Sequence, residues 1–167
     1  WVGGLSGLKQ TVASTLVIAL TGTLASVILS ILWLEAEDRG HMARARWAEG
    51  LIYLPLIVPQ IAFLPGVYVA LLSAGFRPGL ASAVWAHALF VFPYVMLSLS
   101  DPWRALDKHQ VSVAASLGAG PWRRLWSVKL PLLTIPFATA AAIGFAVSVA
   151  LYLPAVFAGG GRVATLT

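Results

Sequence analysis

Four long apolar stretches, separated by short polar segments, dominate the chain. They cover residues 12–34, 51–76, 80–100 and 130–157. A helix needs about 20 mostly apolar residues to cross the roughly 30 Å of hydrocarbon in a bilayer, and each stretch supplies that length. The pattern predicts an all-α fold, a polytopic transmembrane helical bundle of about four spans, with residues 1–167 forming a single membrane domain.

Prolines and small residues modify two of these spans. The second contains Pro55, Pro59, Pro65 and Gly66, and each proline removes a backbone donor, so we expect this helix to be kinked or broken. The fourth is rich in alanine and glycine over residues 138–144, a composition that allows membrane helices to approach closely. An irregular second span and a closely packed fourth span are therefore predicted.

Composition supports a membrane protein and excludes several other classes. Apolar residues make up 59% of the chain and charged residues only 10%, which leaves too little polar surface for a soluble domain. The formal net charge of +5 does not indicate nucleic-acid binding, because the lysines and arginines fall between the apolar stretches, where lipid head groups meet them. Without cysteine, disulfide and thiolate chemistry are excluded. We expect a lipid membrane around the chain and no nucleic-acid partner.

Basic residues are distributed unequally between the two sides of the predicted bundle. Cytoplasmic loops are enriched in lysine and arginine, so the richer side is expected to face the cytoplasm. That side carries Arg39, Arg44, Arg46, Arg104, Lys108, Arg123, Arg124 and Lys129. The other side carries Lys9, Arg77 and Arg162. The prediction is that the amino-terminal end of the first span lies outside and that residues 101–129 form a cytoplasmic loop.

The predicted cytoplasmic loop contains the signals of two short helices joined by a turn. A helix is expected over residues 103–117, followed by Gly118 in a left-handed conformation that glycine adopts without steric cost. Pro121 suits the first position of a second helix over residues 121–128, which is expected to end before Pro131. From the residues alone, an ordinary basic loop that obeys the orientation rule is an equal alternative to a docking site.

Residues 112–131, which read SVAASLGAGPWRRLWSVKLP, resemble the coupling-loop signature of binding-protein-dependent ABC importer permeases. In that signature Glu-Ala-Ala is followed by three residues, a glycine, nine residues and Ile-x-Leu-Pro. The positions in register are Ala114, Gly118, Val128, Leu130 and Pro131, and Ser116, Leu117, Ala119, Pro121 and Trp122 are also typical. Two positions depart from the signature, since Ser112 replaces its glutamate and Val113 its first alanine.

The resemblance implies transport driven by a separate motor. The implied fold is the type I importer permease core, here incomplete, with cytoplasmic coupling helices. The implied function is that of a transmembrane permease subunit of an ATP-driven importer in the bacterial inner membrane, which forms the translocation pathway. The implied partners are cytoplasmic ATP-binding subunits, a second permease core and a periplasmic or extracellular substrate-binding protein. The residues that the resemblance assigns to ATPase coupling are Ser112, Ala114, Gly118, Pro121, Trp122, Arg123, Arg124, Leu130 and Pro131.

The sequence shows no apparatus for ATP hydrolysis. It has no GxxxxGK(S/T) phosphate loop, because the run at residues 159–161 lacks the lysine and hydroxyl that reach phosphates and magnesium. We expect a transporter subunit and not an enzyme, with no cofactor and no metal site. The ending AGGGRVATLT is similar to the external loop before the last span in the iron, thiamine and polyamine group of permeases. The chain is therefore expected to be a piece of a longer polypeptide, and the second core of a fused permease is one arrangement that this suggests.

Candidates for the translocation pathway lie in the second and fourth spans. Gln60 follows Pro59, where a broken helix is tolerated if it faces protein or a water-filled cavity. Ser148 and Tyr152 are further lining candidates. The structural alternatives are an interhelical hydrogen bond for Gln60 and interfacial anchoring for Tyr152. His87, in the third span, is interpreted as reaching the outer interface in preference to a substrate or proton role.

Two other classes of protein stay open at this point. A fragment of a secondary transporter or channel also suits a broken second span, although the spans hold no carboxylate to bind a coupling ion. An intramembrane enzyme ranks last, because no paired carboxylates, His pair or Ser/His arrangement lies at a suitable depth. The acidic residues Glu35, Glu37 and Asp38 are interpreted as a solvated helix end in preference to a metal site.

Overall fold

The computed structural model describes residues 2–40 and 46–159, with the backbone alone for residues 2–6 and 46. Within these ranges the chain forms nine α-helices, one π-helical turn and no β-strand, which confirms the all-α prediction. The helices are α1 (Val2–Gly40), α2 (Arg46–Ile57), α3 (Gln60–Ser73), α4 (Leu80–Arg104), α5 (Lys108–Ser116), α6 (Pro121–Arg124), α7 (Leu130–Leu132), α8 (Thr134–Ala150) and α9 (Leu153–Gly159). The π-helical turn, Leu125–Lys129, joins α6 to α7.

The core is formed by three helices that pack against one another, α1, α4 and α8. Their close approach depends on Gly144, because a Cβ at this position would lie 2.8 Å from Val95 Cγ2 and 3.0 Å from Thr23 Cγ2. Ser26 Oγ lies 2.8 Å from Gly22 O within α1 and 3.2 Å from Ala88 O on α4, so its one hydroxyl hydrogen is shared between the two carbonyls. Ala140 and Gly144 therefore have the close packing that the sequence predicts for residues 138–144, whereas Ala138 and Ala142 of the same stretch are exposed.

Two helices are long and apolar enough to cross a membrane alone, α1 from Gly7 and α4. Two bent pairs are further candidates: α2 with α3, at an angle of 115°, and residues 121–132 with α8, at 78°. The described residues thus hold between two and four candidate spans, and the predicted number of about four corresponds to each bent pair crossing once.

Only one of the three prolines in the second apolar stretch lies at a break. α2 ends at Ile57 and α3 begins at Gln60, with Pro59 between them in an extended conformation (φ −53°, ψ 129°). Pro55 lies inside α2 and Pro65 inside α3. The predicted kink or break is present. α2 then packs on α4, and α3 packs on α9.

Both core helices that run toward the loop extend beyond the apolar stretches. α1 continues past Leu34 to Gly40, where Glu35 and Arg39 form an i,i+4 ion pair with Nε and Oε1 2.9 Å apart. α4 continues to Arg104, because Trp103 is buried in the core. The helix predicted over residues 103–117 is therefore wrong in its start: its first two residues belong to α4, and α5 begins at Lys108.

The fourth apolar stretch is interrupted twice. Leu133 separates α7 from α8, and Leu151 and Tyr152 separate α8 from α9. The second loop helix does not end before Pro131, as predicted, but continues through the π-helical turn to Leu132. The turn has already shifted the hydrogen-bond pattern there, so the missing amide hydrogen of Pro131 does not end the helix.

The carboxyl-terminal ends of α1 and α4 and the start of the fourth apolar stretch lie together, and we call this the basic end. Side-chain contacts of Asp38 with Trp103 and Lys129 join these three elements. Arg44 and Arg162 of the charge count lie outside the described residues, as does most of the ending AGGGRVATLT, from residue 160. Near the opposite end, the backbone N–H of Gly79 donates to Ala158 O at 3.1 Å.

Candidate functional site at the basic end

Two short helices, α5 and α6, form an exposed loop at the basic end. Asp107 caps α5, because its carboxylate accepts the backbone N–H of His109 at 2.8 Å. Gly118 has a φ of 82°, which confirms the predicted left-handed turn. The N–H of Ala119 donates to Ala114 O at 3.0 Å, and the N–H of Gly118 donates to Ala115 O at 2.9 Å. These two hydrogen bonds form a Schellman motif at the end of α5. The loop is a defined helix-turn-helix.

The predicted coupling residues all lie on this loop or on the helical segment that follows it. The exposed members are Ser112, Gly118, Pro121, Trp122, Arg123 and Pro131. The partly buried members are Ala114, Arg124 and Leu130. Pro121 occupies the first turn of α6, as predicted. None of these residues is fully buried, so the segment leaves most of its surface open.

Large apolar side chains are exposed on this loop, outside the long apolar helices. Leu117 is 83% exposed, Trp126 67% and Trp122 57%. A groove of about 440 Å³ lies between α5 and the π-helical turn, and Val113, Ala114, Leu117, Val128, Pro131 and Leu132 provide its apolar lining. Contiguous exposed apolar surface beside polar residues is typical of a site that another protein or a membrane covers.

The π-helical turn directs a lysine into the bundle. A proline ring clashes with the carbonyl four residues earlier in an α-helix. Before Pro131 the chain instead widens, and the N–H of Leu130 donates to Leu125 O, five residues earlier. Within this turn the buried residues are Leu125 and Lys129. The irregular turn therefore places the Lys129 side chain, which is only 5% exposed, between the ends of the neighbouring helices.

Lys129 is held by two carboxylates from the end of α1. Its Nζ lies 2.6 Å from Glu35 Oε2 and 2.6 Å from Asp38 Oδ2. Trp103 Nε1 also donates to Asp38 Oδ2 at 3.1 Å, and the lysine Nζ lies 5.1 Å from the centre of the Trp103 ring. Glu35 is itself buried, so the charge of Lys129 is matched inside the protein and not by solvent. These contacts join α1, α4 and the loop segment.

A second set of ion pairs surrounds the first. Arg104 Nη2 donates to Glu37 Oε2 at 2.9 Å and also bonds to Glu49 at the start of α2. Arg39, paired with Glu35, lies 4.6 Å from the centre of the Trp122 ring on α6. The prediction of a solvated acidic helix end is therefore wrong for Glu35 and Glu37, whose carboxylates are largely buried against cations of other elements, and holds in part for Asp38, which is ion-paired but still exposed.

Sequence reasoning did not identify the structural role of Lys129. A usable signal was present, since this lysine directly precedes the apolar Leu130–Leu132 and the chain has an acidic cluster at the end of another span. Which lysine or arginine meets which carboxylate depends on helix packing, and Glu35 and Lys129 lie 94 residues apart in sequence. That pairing is not encoded by local spacing.

The predicted pathway residues fall in separate settings. Pro59 and Gln60 lie at the bend between α2 and α3, and Gln60 makes no side-chain hydrogen bond within the described ranges. Tyr152 is half-exposed, at 51%, between α8 and α9. Ser148 is buried, and its Oγ lies 2.9 Å from Nδ1 of His87. The outer-interface interpretation of His87 is wrong, because this side chain is 2% exposed between α4 and α8.

Comparison with known families matches residues 40–167 to the family described as binding-protein-dependent transport system inner membrane component. The chain is similar to the inner membrane ABC transporter permease protein YnjC of Escherichia coli K12, with 31% identity over 159 residues, or 95% of this chain and 30% of that protein. It is also similar to the molybdenum transport system permease protein ModB of Mycobacterium bovis, with 30% identity over 85% of this chain and 55% of ModB.

A third relative is more distant. The putative 2-aminoethylphosphonate transport system permease protein PhnV of Salmonella paratyphi A is 28% identical over 62% of this chain and 40% of its own length. The chain thus spans between 30% and 55% of the lengths of these relatives.

Proposed function

The chain belongs to the family of binding-protein-dependent transport system inner membrane components, and from this premise we propose that it is part of the permease of an ATP-driven importer. The family consists of multi-pass inner membrane transport components, not enzymes. Because the chain covers only part of its relatives' lengths, transport itself belongs to the proposal for the complete permease. The family assignment favours an importer over the alternative of a secondary transporter or channel fragment.

The proposed partner at the basic end is a cytoplasmic ATP-hydrolysing subunit that covers the α5–α6 loop. The observation that carries this assignment is the apolar groove of about 440 Å³ beside Leu117, which is 83% exposed at the end of α5. Leu117 lies before the candidate span that begins at Pro121, and Val128, Pro131 and Leu132 on the other side of the groove belong to the first part of that span. An ordinary solvated loop has no reason to hold such surface in a fixed conformation. The same segment carries the residues that resemble the coupling signature.

The ion pairs of the basic end supply the mechanical link in this proposal. When two ATP-bound subunits close, they push on α5 and α6. Lys129, bonded to Glu35 and Asp38, passes that displacement to α1 and α4, and the 78° bend at Leu133 passes it to α8. Packed helices shift as rigid units, so a small loop movement rotates the spans and changes the side on which the pathway opens.

The remaining partners complete the proposed importer. A second permease core, in the same or another chain, forms the other half of the pathway, and an external substrate-binding protein delivers the solute. The bend at Pro59 and Gln60 supports a place on the pathway, since irregular backbone at membrane depth is tolerated only where it faces protein or water. Ser148 and Tyr152 remain candidates for the same lining.

The test uses the complete permease reconstituted with candidate ATPase subunits and binding proteins from the same organism. Leu117→Asp places a charge in the groove without disturbing the core, because the side chain is exposed. We expect binding-protein-dependent uptake and the stimulation of ATP hydrolysis to fall by about tenfold or more, as happens when a buried interface contact is replaced by an unpaired charge.

Ala115→Asp is the matched control. Ala115 is exposed on the same helix but does not line the groove, so uptake is expected to stay near that of the unmodified permease. Equal loss in both variants would point to a general charge effect. Uptake that continues without any ATPase subunit would overturn the proposed function itself.

A further inference from the structure

A second cavity, of about 650 Å³, lies among the ends of α1 and α4 and the helices α5 and α6. We call it the basic cavity, because cationic side chains outnumber carboxylates in its lining. The cations are Arg39, Arg104, Lys108, Arg124 and Lys129. The carboxylates are those of Glu35 and Asp38. The cavity is separate from the apolar groove, which lies between α5 and the π-helical turn.

Both carboxylates of the lining are already bonded. Glu35 accepts from Lys129 and Arg39, and Asp38 accepts from Lys129 and the indole of Trp103. Arg104 in turn is bonded to Glu37 and Glu49. These four carboxylates thus bond three of the five cations, and none of them bonds Lys108 or Arg124.

Lys108 and Arg124 are the two cations of the lining that no carboxylate bonds. Neither makes an ion pair within the part of the chain that the structure describes, and Arg124 Nε is buried there without a hydrogen-bond partner. Asp107, the acidic residue next to Lys108, is engaged in capping α5. Ser112 contributes a neutral hydroxyl to the same lining. Because guanidinium N–H groups are costly to leave unpaired away from water, the cavity is suited to receive an anion.

We propose that the basic cavity is an oxyanion site that binds a phosphate group between Lys108 and Arg124. A guanidinium group matches the geometry of phosphate oxygens, and an ammonium group adds a point charge. The cavity lies at the ends of two candidate spans, the level at which basic pockets meet lipid head groups. The phosphate can therefore come from an anionic lipid or from free phosphate in the cytosol.

Bound phosphate has a definite consequence for the loop. Lys108 lies on α5 and Arg124 on α6, the two helices joined through Gly118. One anion between them bridges both helices and stabilises the helix-turn-helix. This inference needs no ATPase and no transport activity, so it stands or falls separately from the proposed function.

The experiment measures backbone hydrogen exchange across α5 and α6 in the complete permease, held in nanodiscs. One arm titrates sodium phosphate into phosphatidylcholine nanodiscs at constant ionic strength, with chloride as the balancing anion. The other arm replaces phosphatidylcholine with phosphatidylglycerol and omits phosphate. We expect saturable slowing of exchange in at least one arm, and the arm that shows it identifies the source of the phosphate group.

Three variants make the result specific. Arg124→Gln is expected to weaken the protection by about tenfold, as removal of a charged hydrogen-bond donor does. Arg123→Gln removes the same charge from the adjacent, exposed position outside the cavity and is expected to leave protection unchanged. Ser112→Glu supplies an internal carboxylate and is expected to abolish the response.

Three outcomes would overturn the proposal. No slowing in either arm means that the cavity takes neither free phosphate nor an anionic lipid head group. Equal losses in Arg123→Gln and Arg124→Gln mean that the effect is general surface charge. If Arg124→Gln does not fold, Lys108→Gln, an exposed position, takes its place, and full protection in that variant contradicts the site.

Discussion

Gly118 and Gly144 are constrained for different reasons, one by its own backbone and the other by its neighbours. Gly118 has a φ of 82° in open surroundings, whereas Gly144 is a helical residue pressed between α1 and α4. An added side chain at Gly118 would therefore strain the backbone, whereas one at Gly144 would clash with the neighbouring helices. The two effects belong to different parts of the molecule, the loop and the core.

Substitution of Gly118 is expected to loosen the loop without affecting the bundle. Gly118→Ala should cost about 1 kcal/mol, because residues with a Cβ disfavour the left-handed conformation. Gly120→Ala is the matched control, since Gly120 has a φ of −64° and nothing within 4 Å of an added Cβ. Hydrogen exchange of α5 should quicken about fivefold in the first variant and stay unchanged in the second.

Substitution of Gly144 is expected to destabilise the whole bundle. A Cβ there would lie 2.8 Å from Val95 Cγ2 and 3.2 Å from Val91 Cγ1, so α4 and α8 must separate. Gly144→Ala should cost about 1–3 kcal/mol, the usual penalty for overpacking. Gly66→Ala, an added methyl in open space on α3, is the control. Thermal denaturation in detergent should show a lower midpoint for Gly144→Ala alone.

Residue-level prediction from sequence succeeds where the cause is local. The turn at Gly118 and the start of α6 at Pro121 follow from backbone preferences that a few neighbouring residues determine. His87 could not be placed in the same way, because its burial against Ser148 depends on the packing of two helices distant in sequence. The position of a residue along a span, counted from its end, does not show whether its side chain faces another helix or the lipid.

At the scale of elements, the end of α1 and the start of the fourth apolar stretch depend on one buried lysine. Lys129→Met removes the cation and leaves the buried Glu35 and the partly exposed Asp38 without it. We expect a loss of about 3 kcal/mol, at the lower end for a broken buried pair because Asp38 can still reach water. The drop in the midpoint of thermal denaturation measures it.

A double variant separates the missing charge from the missing side chain. In Lys129→Met, Glu35 keeps Arg39 as its ion-pair partner but loses the partner of Oε2. If the cost comes from this buried carboxylate oxygen, Lys129→Met combined with Glu35→Gln should recover part of the lost stability, less what the broken Arg39 pair costs. Strict additivity of the two single losses would show that the pair does not couple. Lys9→Met, at an exposed lysine of α1, serves as the control for loss of positive charge.

The sequence predicts which helices exist more reliably than it predicts the residues at which they end. The apolar stretches predict α1 and α4, but α1 extends to Gly40 through an i,i+4 ion pair and α4 extends to Arg104 through the burial of Trp103. Three prolines in the second stretch look equivalent in sequence, and only Pro59 lies at the break. A helix can continue through a proline with one backbone hydrogen bond missing, as at the exposed Pro65, and the local sequence does not show which proline breaks the helix.

In the part of the chain that the structure describes, most charged side chains lie at one end of the bundle. Ion pairs, the helix-turn-helix and the basic cavity all lie where α1 and α4 finish, while Arg77 lies at the start of α4. The distribution of lysine and arginine predicts that the charged end faces the cytoplasm. This orientation also decides which partners can reach the loop, since an ATP-hydrolysing subunit is confined to the cytoplasm.

Single-cysteine labelling tests this orientation directly, because residues 1–167 contain no cysteine, and any cysteine elsewhere in the complete permease is first replaced by serine. Ser116→Cys places an exposed thiol on α5, and Arg77→Cys places one before α4. A membrane-impermeant maleimide should label Ser116→Cys in inside-out vesicles and Arg77→Cys in intact spheroplasts. If one preparation labels both thiols, α4 does not cross the membrane between them. If the pattern is reversed, the loop faces away from any ATPase, and the coupling role proposed for it fails even though the fold is unchanged.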